Sequence, residues 1–172
     1  MKTIALSVAT VFVFAFSARA EVTAKISDVH LCCKGCVNGV EKAVSKVSGA
    51  TASADQDAGT VTLSGPDTAT VQKAADALVA AGYFGKSSDD KIKIHSNTEA
   101  KGEKVQTLHV EGVHLCCAKC VKAVDKAVKS VPGVKEQTAT KGAKSFDVTG
   151  DFNDKDVFTA LQKEGFAGKA GQ

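Results

Sequence analysis

The chain has 172 residues, with 22 Lys and Arg against 19 Asp and Glu, a formal net charge of +3, no Trp, one Tyr and six Cys. A charge this small excludes the strongly basic face that nucleic-acid binding requires. Few large aromatics and many small apolar side chains favour thin two-layer domains over one large core.

Met1–Ala20 reads as a secretory signal peptide, with a positive start at Lys2, the apolar run Ile4–Phe16 and the small-x-small pattern SARA at Ser17–Ala20. A run of thirteen residues is too short to cross a hydrocarbon layer of roughly 30 Å as a helix. The mature chain is therefore expected to begin near Glu21, to carry a net charge of +1 and no membrane span, and to be secreted or periplasmic.

Val22, Ala24 and Ile26 alternate along a first strand. The cluster VHLCCKGC follows at Val29–Cys36, then Val37, Val40, Val44 and Val47, spaced three or four apart, predict an amphipathic helix. Ser48–Ala50 stops it, because Gly49 tolerates a left-handed end. A hairpin is expected from Ala50–Asp55 and Thr60–Ser64, then a second helix over Thr68–Ala81 and a short strand at Tyr83–Ser87. Ser87–Lys104 is polar and balanced in charge, and reads as a mainly flexible linker in which Ile92–Ile94 could extend the preceding strand. The order then repeats: a strand carrying Val105, Leu108 and Val110, the cluster VHLCCAKC at Val113–Cys120, and a helix stopped at Pro132–Val134. A hairpin of Val134–Thr140 and Ser145–Thr149, a helix over Asn153–Glu164 and a strand at Phe166–Lys169 complete it.

An offset of 84 residues lays Cys33 on Cys117, Cys36 on Cys120 and the four helix valines on Val121, Val124, Val128 and Val131. GYFGK at Gly82–Lys86 answers GFAGK at Gly165–Lys169 after a single-residue gap. The expected architecture is α+β: two ferredoxin-like β-α-β-β-α-β sandwiches in tandem, residues 21–86 and 105–172, joined by the linker 87–104.

All six cysteines lie in the two clusters, at the mouths of the first helices. The positive end of a helix favours thiolate over thiol, and C-x-x-C points two sulfurs into one space. Such a pair selects thiophilic ions over Mg or Ca. Strand, C-x-x-C loop, valine-faced helix, hairpin, helix and closing G-[YF] segment together resemble the heavy-metal-associated domain of copper chaperones and periplasmic mercury-binding proteins. The resemblance covers both copies and places the metal-binding pairs on Cys33 and Cys36 and on Cys117 and Cys120. It also sets Tyr83 and Phe166 beneath the site. His30, Leu31 and Cys32 stand where that family has Gly, Met and Thr. A third thiol (Cys32 or Cys116) and an imidazole (His30 or His114) are thereby added to each pair as candidate ligands, and a Cys₃His set would suit Zn(II). Leu31 and Leu115 are expected to plug the core, and His95 and His109, which have no counterparts, to be surface residues.

Two other readings of the cysteines compete: disulfides, since the expected compartment is oxidising, and a thiol–disulfide redox protein using C-x-x-C. The absence of Trp beside the motif and the shortness of the units weigh against the latter. Lys122, Lys126 and Lys129 line one helix face, a solvated surface or a docking face for an acidic partner. The expectation is a monomeric, non-catalytic carrier with one solvent-facing site and about one soft ion per domain, Cu(I) first, with Zn(II) and Hg(II) as alternatives. The ion would be exchanged with a metal-donor or metal-acceptor protein.

Overall fold

The computed structural model describes residues 20–171. The expected signal peptide lies outside the described residues except for Ala20. The first half comprises β1 (Val22–Ser27), α1 (Lys34–Val44), β2 (Thr51–Asp55), β3 (Thr60–Gly65), α2 (Thr68–Ala80) and β4 (Lys86–Ser87). The second comprises β5 (Lys104–Glu111), α3 (Ala118–Lys129), β6 (Val134–Gln137), β7 (Ser145–Asn153), α4 (Asp154–Lys163) and β8 (Lys169–Ala170). The fold is α+β, with two four-stranded antiparallel sheets in the orders β2-β3-β1-β4 and β6-β7-β5-β8.

Alternation explains the sheets. In β1, Ala24 and Ile26 are buried while Thr23 and Lys25 face outward, and in β3 Val61 and Leu63 meet them across the ladder. Helix α1 buries Cys36, Val40, Ala43 and Val44, and α3 buries Cys120, Val124, Ala127 and Val128, the same stripe at the same spacing. Val47 falls beyond the end of α1, which stops at Val44, three residues short of the valine pattern. Leu31 and Leu115 are buried under their loops as expected.

The closing G-[YF] segments depart from expectation. Their strands shrink to two residues each, and Tyr83 pairs instead with Phe166 in an isolated antiparallel bridge between the halves. Phe84 N–H donates to the Gly165 carbonyl at 3.0 Å, and Ala167 N–H to the Gly82 carbonyl at 3.0 Å. A pseudo-twofold axis thus passes through this bridge, and buried residues of both halves form one continuous apolar cluster.

The segment read as a flexible linker is tied to both halves. Ile92 is buried, so Ile92–Ile94 anchors the chain rather than extending a strand. Gln72 accepts from Lys93 N–H and donates to the Lys93 carbonyl, both at 2.8 Å. At the far end Asp154, a buried carboxylate at the start of α4, accepts the N–H groups of Lys101, Gly102 and Glu103 at 2.8–3.0 Å. A polar, charge-balanced composition signals solvent exposure, but one apolar side chain and two side-chain clamps are enough to lay such a segment down.

Burial alone would raise the Asp154 carboxyl, yet the backbone N–H groups of Lys101, Gly102, Lys155 and Glu103 outweigh it and hold it below the ordinary carboxylate range. A depressed folded-state value stabilises above the unfolded value of about 3.9, and the benefit is lost as pH falls through the folded value. Asp154→Ala is expected to lower stability by about 2 kcal/mol at neutral pH, because three donors lose a charged acceptor. Urea unfolding should show the gap between wild type and variant closing in strong acid; a gap independent of pH would contradict this role.

Candidate metal centre

Both cysteine clusters sit where β1 and β5 hand over to α1 and α3. Cys33 and Cys117 are the N-cap residues, with extended backbones and no side-chain hydrogen bond to the helix, so their sulfurs are not used in capping. Cys36 and Cys120, in the first turns, are fully buried; the other four thiols are half-buried, and all six are free. The competing disulfide reading finds no bridge among the described residues.

The expectation of one solvent-facing site per domain is corrected by the packing of the halves. The two loops face each other across the pseudo-twofold axis and bring all six sulfurs together. Between halves, Cys32 Sγ lies 3.4 Å from Cys117 and 3.4 Å from Cys120; in mirror fashion Cys116 Sγ lies 3.5 Å from Cys33 and 3.5 Å from Cys36. Cys36 and Cys120 meet on the axis at 3.9 Å. Within halves, Cys33–Cys36 and Cys117–Cys120 are both 3.8 Å, Cys32–Cys36 is 3.8 Å and Cys116–Cys120 is 3.7 Å. The closest separations are those between halves, not those within the C-x-x-C pairs.

These spacings discriminate between coordination modes. A metal–thiolate bond of about 2.3 Å sets sulfurs about 4.6 Å apart across a linear ion, about 4.0 Å apart around a trigonal one and about 3.8 Å apart around a tetrahedral one. The C-x-x-C pairs at 3.8 Å are too close for linear two-sulfur coordination and fit three- or four-coordinate geometry. Trios of mutually close ligand atoms include Cys32–Cys33–Cys117, Cys33–Cys36–Cys116, Cys116–Cys117–Cys120, and His30 with Cys32 and Cys120. Of these, all but Cys116–Cys117–Cys120 draw on both halves.

The imidazoles are also exchanged across the axis. His30 stacks on Phe166 of the other half at 4.3 Å, and His114 stacks on Tyr83 at 4.5 Å. The buried Tyr83 hydroxyl donates to the Cys36 carbonyl at 2.9 Å and lies 3.0 Å from His114 Nε2. Phe166 offers no hydroxyl, and His30 Nε2 is left buried without a hydrogen-bond partner beside Cys32 and Cys120. Burial, the largest influence, lowers the His30 pKa, which favours the neutral, ligand-competent imidazole. Thus His30 fits as a ligand with a free nitrogen, while His114 is tethered by Tyr83.

Sulfur ionisation follows from the crowding. The Cys120 thiol hydrogen-bonds to Cys36, and despite burial this, with further help from His114, Cys116 and the Cys32 backbone, holds Cys36 far below an ordinary thiol. The same hydrogen bond, then burial, raises Cys120. Burial and a hydrogen bond with Cys117 push Cys32 up to about 12, and burial likewise raises Cys116. Cys117 falls to about 6, because the backbone N–H groups of Cys120 and Lys119 and the Cys32 thiol outweigh its burial. The cluster accepts its first negative charges readily and resists the rest, so the remaining thiols keep their protons unless a bound cation replaces them. Two clefts of about 780 and 400 Å³ lead in from solvent, one lined by Cys32 and the other by Cys116.

His109, expected at the surface without a role, lies beside Asp147, Nδ1 to Oδ1 at 2.6 Å, and His95 is exposed. Lys129 of the lysine face pairs with Asp125 at 2.8 Å, while Lys122 and Lys126 are exposed. Gly39 was missed by sequence reasoning: a Cβ there would run into the Tyr83 hydroxyl. Its repeat counterpart is Ala123, in the half that carries Phe166 where the first carries Tyr83. The pairing of Gly with Tyr and Ala with Phe was a readable signal.

Residues 107–167 match the model of the heavy-metal-associated domain. Among solved structures, the chain is similar to a copper-binding domain from HMA7, a P-type ATPase, at 21% identity and a TM-score of 0.37, covering 40% of this chain and 96% of that one. It is also similar to the N-terminal soluble domains of Bacillus subtilis CopA, at 17% identity and a TM-score of 0.32, covering 89% of this chain and 95% of that one. No curated protein matches the chain in sequence.

Gly82 (φ +92°) and Gly165 (φ +81°) seal the contact between halves, since a Cβ on either would lie under 3.0 Å from backbone of the opposite loop. Gly82→Ala and Gly165→Ala are expected to part the halves and speed the reaction of the cysteines with a thiol reagent several-fold. Labelling rates unchanged from wild type would contradict the sealed arrangement.

Proposed function

We propose that the chain is an exported, secreted or periplasmic carrier of a soft metal ion, with Cu(I) as its cargo, and that its first half is a second copy of the domain matched in residues 107–167. The observation that carries this reading is the convergence of six free thiols, with C-x-x-C spacings that fit three- or four-coordinate metal–thiolate geometry. Sulfur selects Cu(I), Zn(II) and Hg(II) over hard ions. In this reading Cys33, Cys36, Cys117 and Cys120 hold the cargo, and Cys32, Cys116 and His30 extend the donor set. The chain carries no reaction of its own. A donor or acceptor protein exchanges the ion by thiolate substitution, an incoming sulfur adding before a resident one leaves. The clefts at Cys32 and Cys116 give such a sulfur access.

The redox alternative needs a thiol pair that alternates between open and bridged states at an accessible surface. Here Cys36 and Cys120 are fully buried and touch thiols of the other half, so neither C-x-x-C pair stands as an isolated dithiol.

Anaerobic competition with a chromophoric Cu(I) chelator is expected to show the reduced chain withdrawing copper. Cys33→Ser/Cys36→Ser/Cys117→Ser/Cys120→Ser should lose at least a hundredfold in affinity. Retained affinity in that variant, or rapid insulin reduction by the metal-free wild type, would contradict the proposal.

A further inference from the structure

We propose that the two cysteine clusters form one polynuclear site that holds four Cu(I) ions per chain, bridged by sulfurs from both halves. The inference rests on the soft-metal reading above and concerns how the ions are arranged.

The close contacts among the six sulfurs connect them as the edges of an octahedron connect its corners. Nine of its edges are 3.4–3.9 Å long, and the remaining three (Cys32–Cys33, Cys33–Cys117 and Cys116–Cys117) lie within 4.8 Å. Opposite corners are Cys32 and Cys116, Cys33 and Cys120, and Cys36 and Cys117. Any four corners of an octahedron include an opposite pair, so no four sulfurs can close evenly around a tetrahedral ion such as Zn(II). Each triangular face, by contrast, offers three. At the centre of a face with edges of 3.4–3.9 Å, an ion would sit about 2.0–2.3 Å from each sulfur, close to the metal–thiolate bond of about 2.3 Å. Trigonal sulfur coordination suits Cu(I), a soft ion with no demand for a fourth ligand.

The same geometry limits the number. Ions on adjacent faces would be less than half an edge apart, about 1.7 Å, which their charges and sizes forbid. Alternate faces are two-thirds of an edge apart, about 2.5 Å, and opening slightly as the bonds form they can hold four ions. One such set is Cys33–Cys36–Cys116, Cys32–Cys36–Cys120, Cys32–Cys33–Cys117 and Cys116–Cys117–Cys120, in which every sulfur bridges two ions. Charge supports this count. Six thiolates alone carry −6, two Cu(I) leave −4, and four leave −2 in a pocket where two sulfurs are fully buried. The unpartnered His30 Nε2 lies beside Cys32 and Cys120, on the edge of one of these faces. Loading is not a redox step: copper arrives and stays as Cu(I), each Cu–S bond forms at a sulfur that has released its proton to solvent, and the carrier ligand leaves.

The test is anaerobic titration of the reduced full chain with a Cu(I)–acetonitrile complex, followed by native mass spectrometry and X-ray absorption at the copper edge. The expected result is a cooperative step to four copper ions per chain, three sulfurs per copper and a copper–copper shell shorter than a sulfur–sulfur edge. Cys32→Ser/Cys116→Ser keeps both C-x-x-C pairs and is expected to hold no more than two ions without that shell, its fold checked by circular dichroism. Saturation of the wild type at one or two ions with no copper–copper shell, or four ions retained by the double variant, overturns the proposal and leaves the carrier reading intact. Failure to bind Cu(I) at all overturns both.

Discussion

The arrangement depends on sulfur atoms pressed into contact at 3.4–3.9 Å, too far apart for covalent bonds and too close for several of them to be charged at once. A thiolate that cannot spread its charge into water must share a proton or accept a cation. Helix starts lower the cost of the first charges, and packing of the halves raises the cost of later ones. A soft cation resolves the conflict with the geometry already in place. The protein contribution is preorganisation: two rigid sheet-and-helix units hold the loops so that binding does not first have to gather the ligands.

Much of the fold was legible because hydrophobic period reports local structure. The alternation in Val22–Ile26 and the valine stripe from Val37 to Val44 gave strand and helix, and the 84-residue offset carried both into the second half. Turn chemistry placed the hairpins to within a few residues, although β7 runs on to Asn153, four residues beyond the expected Thr149. What periodicity cannot report is how two finished units meet. The closing GYFGK and GFAGK segments were read as strands of their own sheets, yet their aromatics cross to the partner unit. Backbone hydrogen bonds made by Gly82 and Gly165 depend on an opposite loop that is distant in sequence.

The thiols and imidazoles that gather at the cluster were all singled out from the sequence, but their grouping was not. Spacing of C-x-x-C type pairs each sulfur with a near neighbour in the chain, whereas Cys33 lies closer to Cys116 than to Cys36. The doubling of the thiol at Cys32 and Cys116 finds its reason here, because those residues supply the close contacts between halves. The asymmetry of the imidazoles was readable only in part. Tyr83 and Phe166 differ by one oxygen atom, and that atom decides which histidine is tethered and which has a bare nitrogen.

Mild oxidation of the reduced, metal-free chain, followed by mapping of the first disulfide formed, examines this apposition most directly. If the halves meet as described, the first bridge joins the halves, Cys32 to Cys117 or Cys120 or else Cys116 to Cys33 or Cys36, across 3.4–3.5 Å. Exclusive formation of Cys33–Cys36 and Cys117–Cys120 bridges would show that the two sulfur groups stand apart in solution, and the shared centre would not exist.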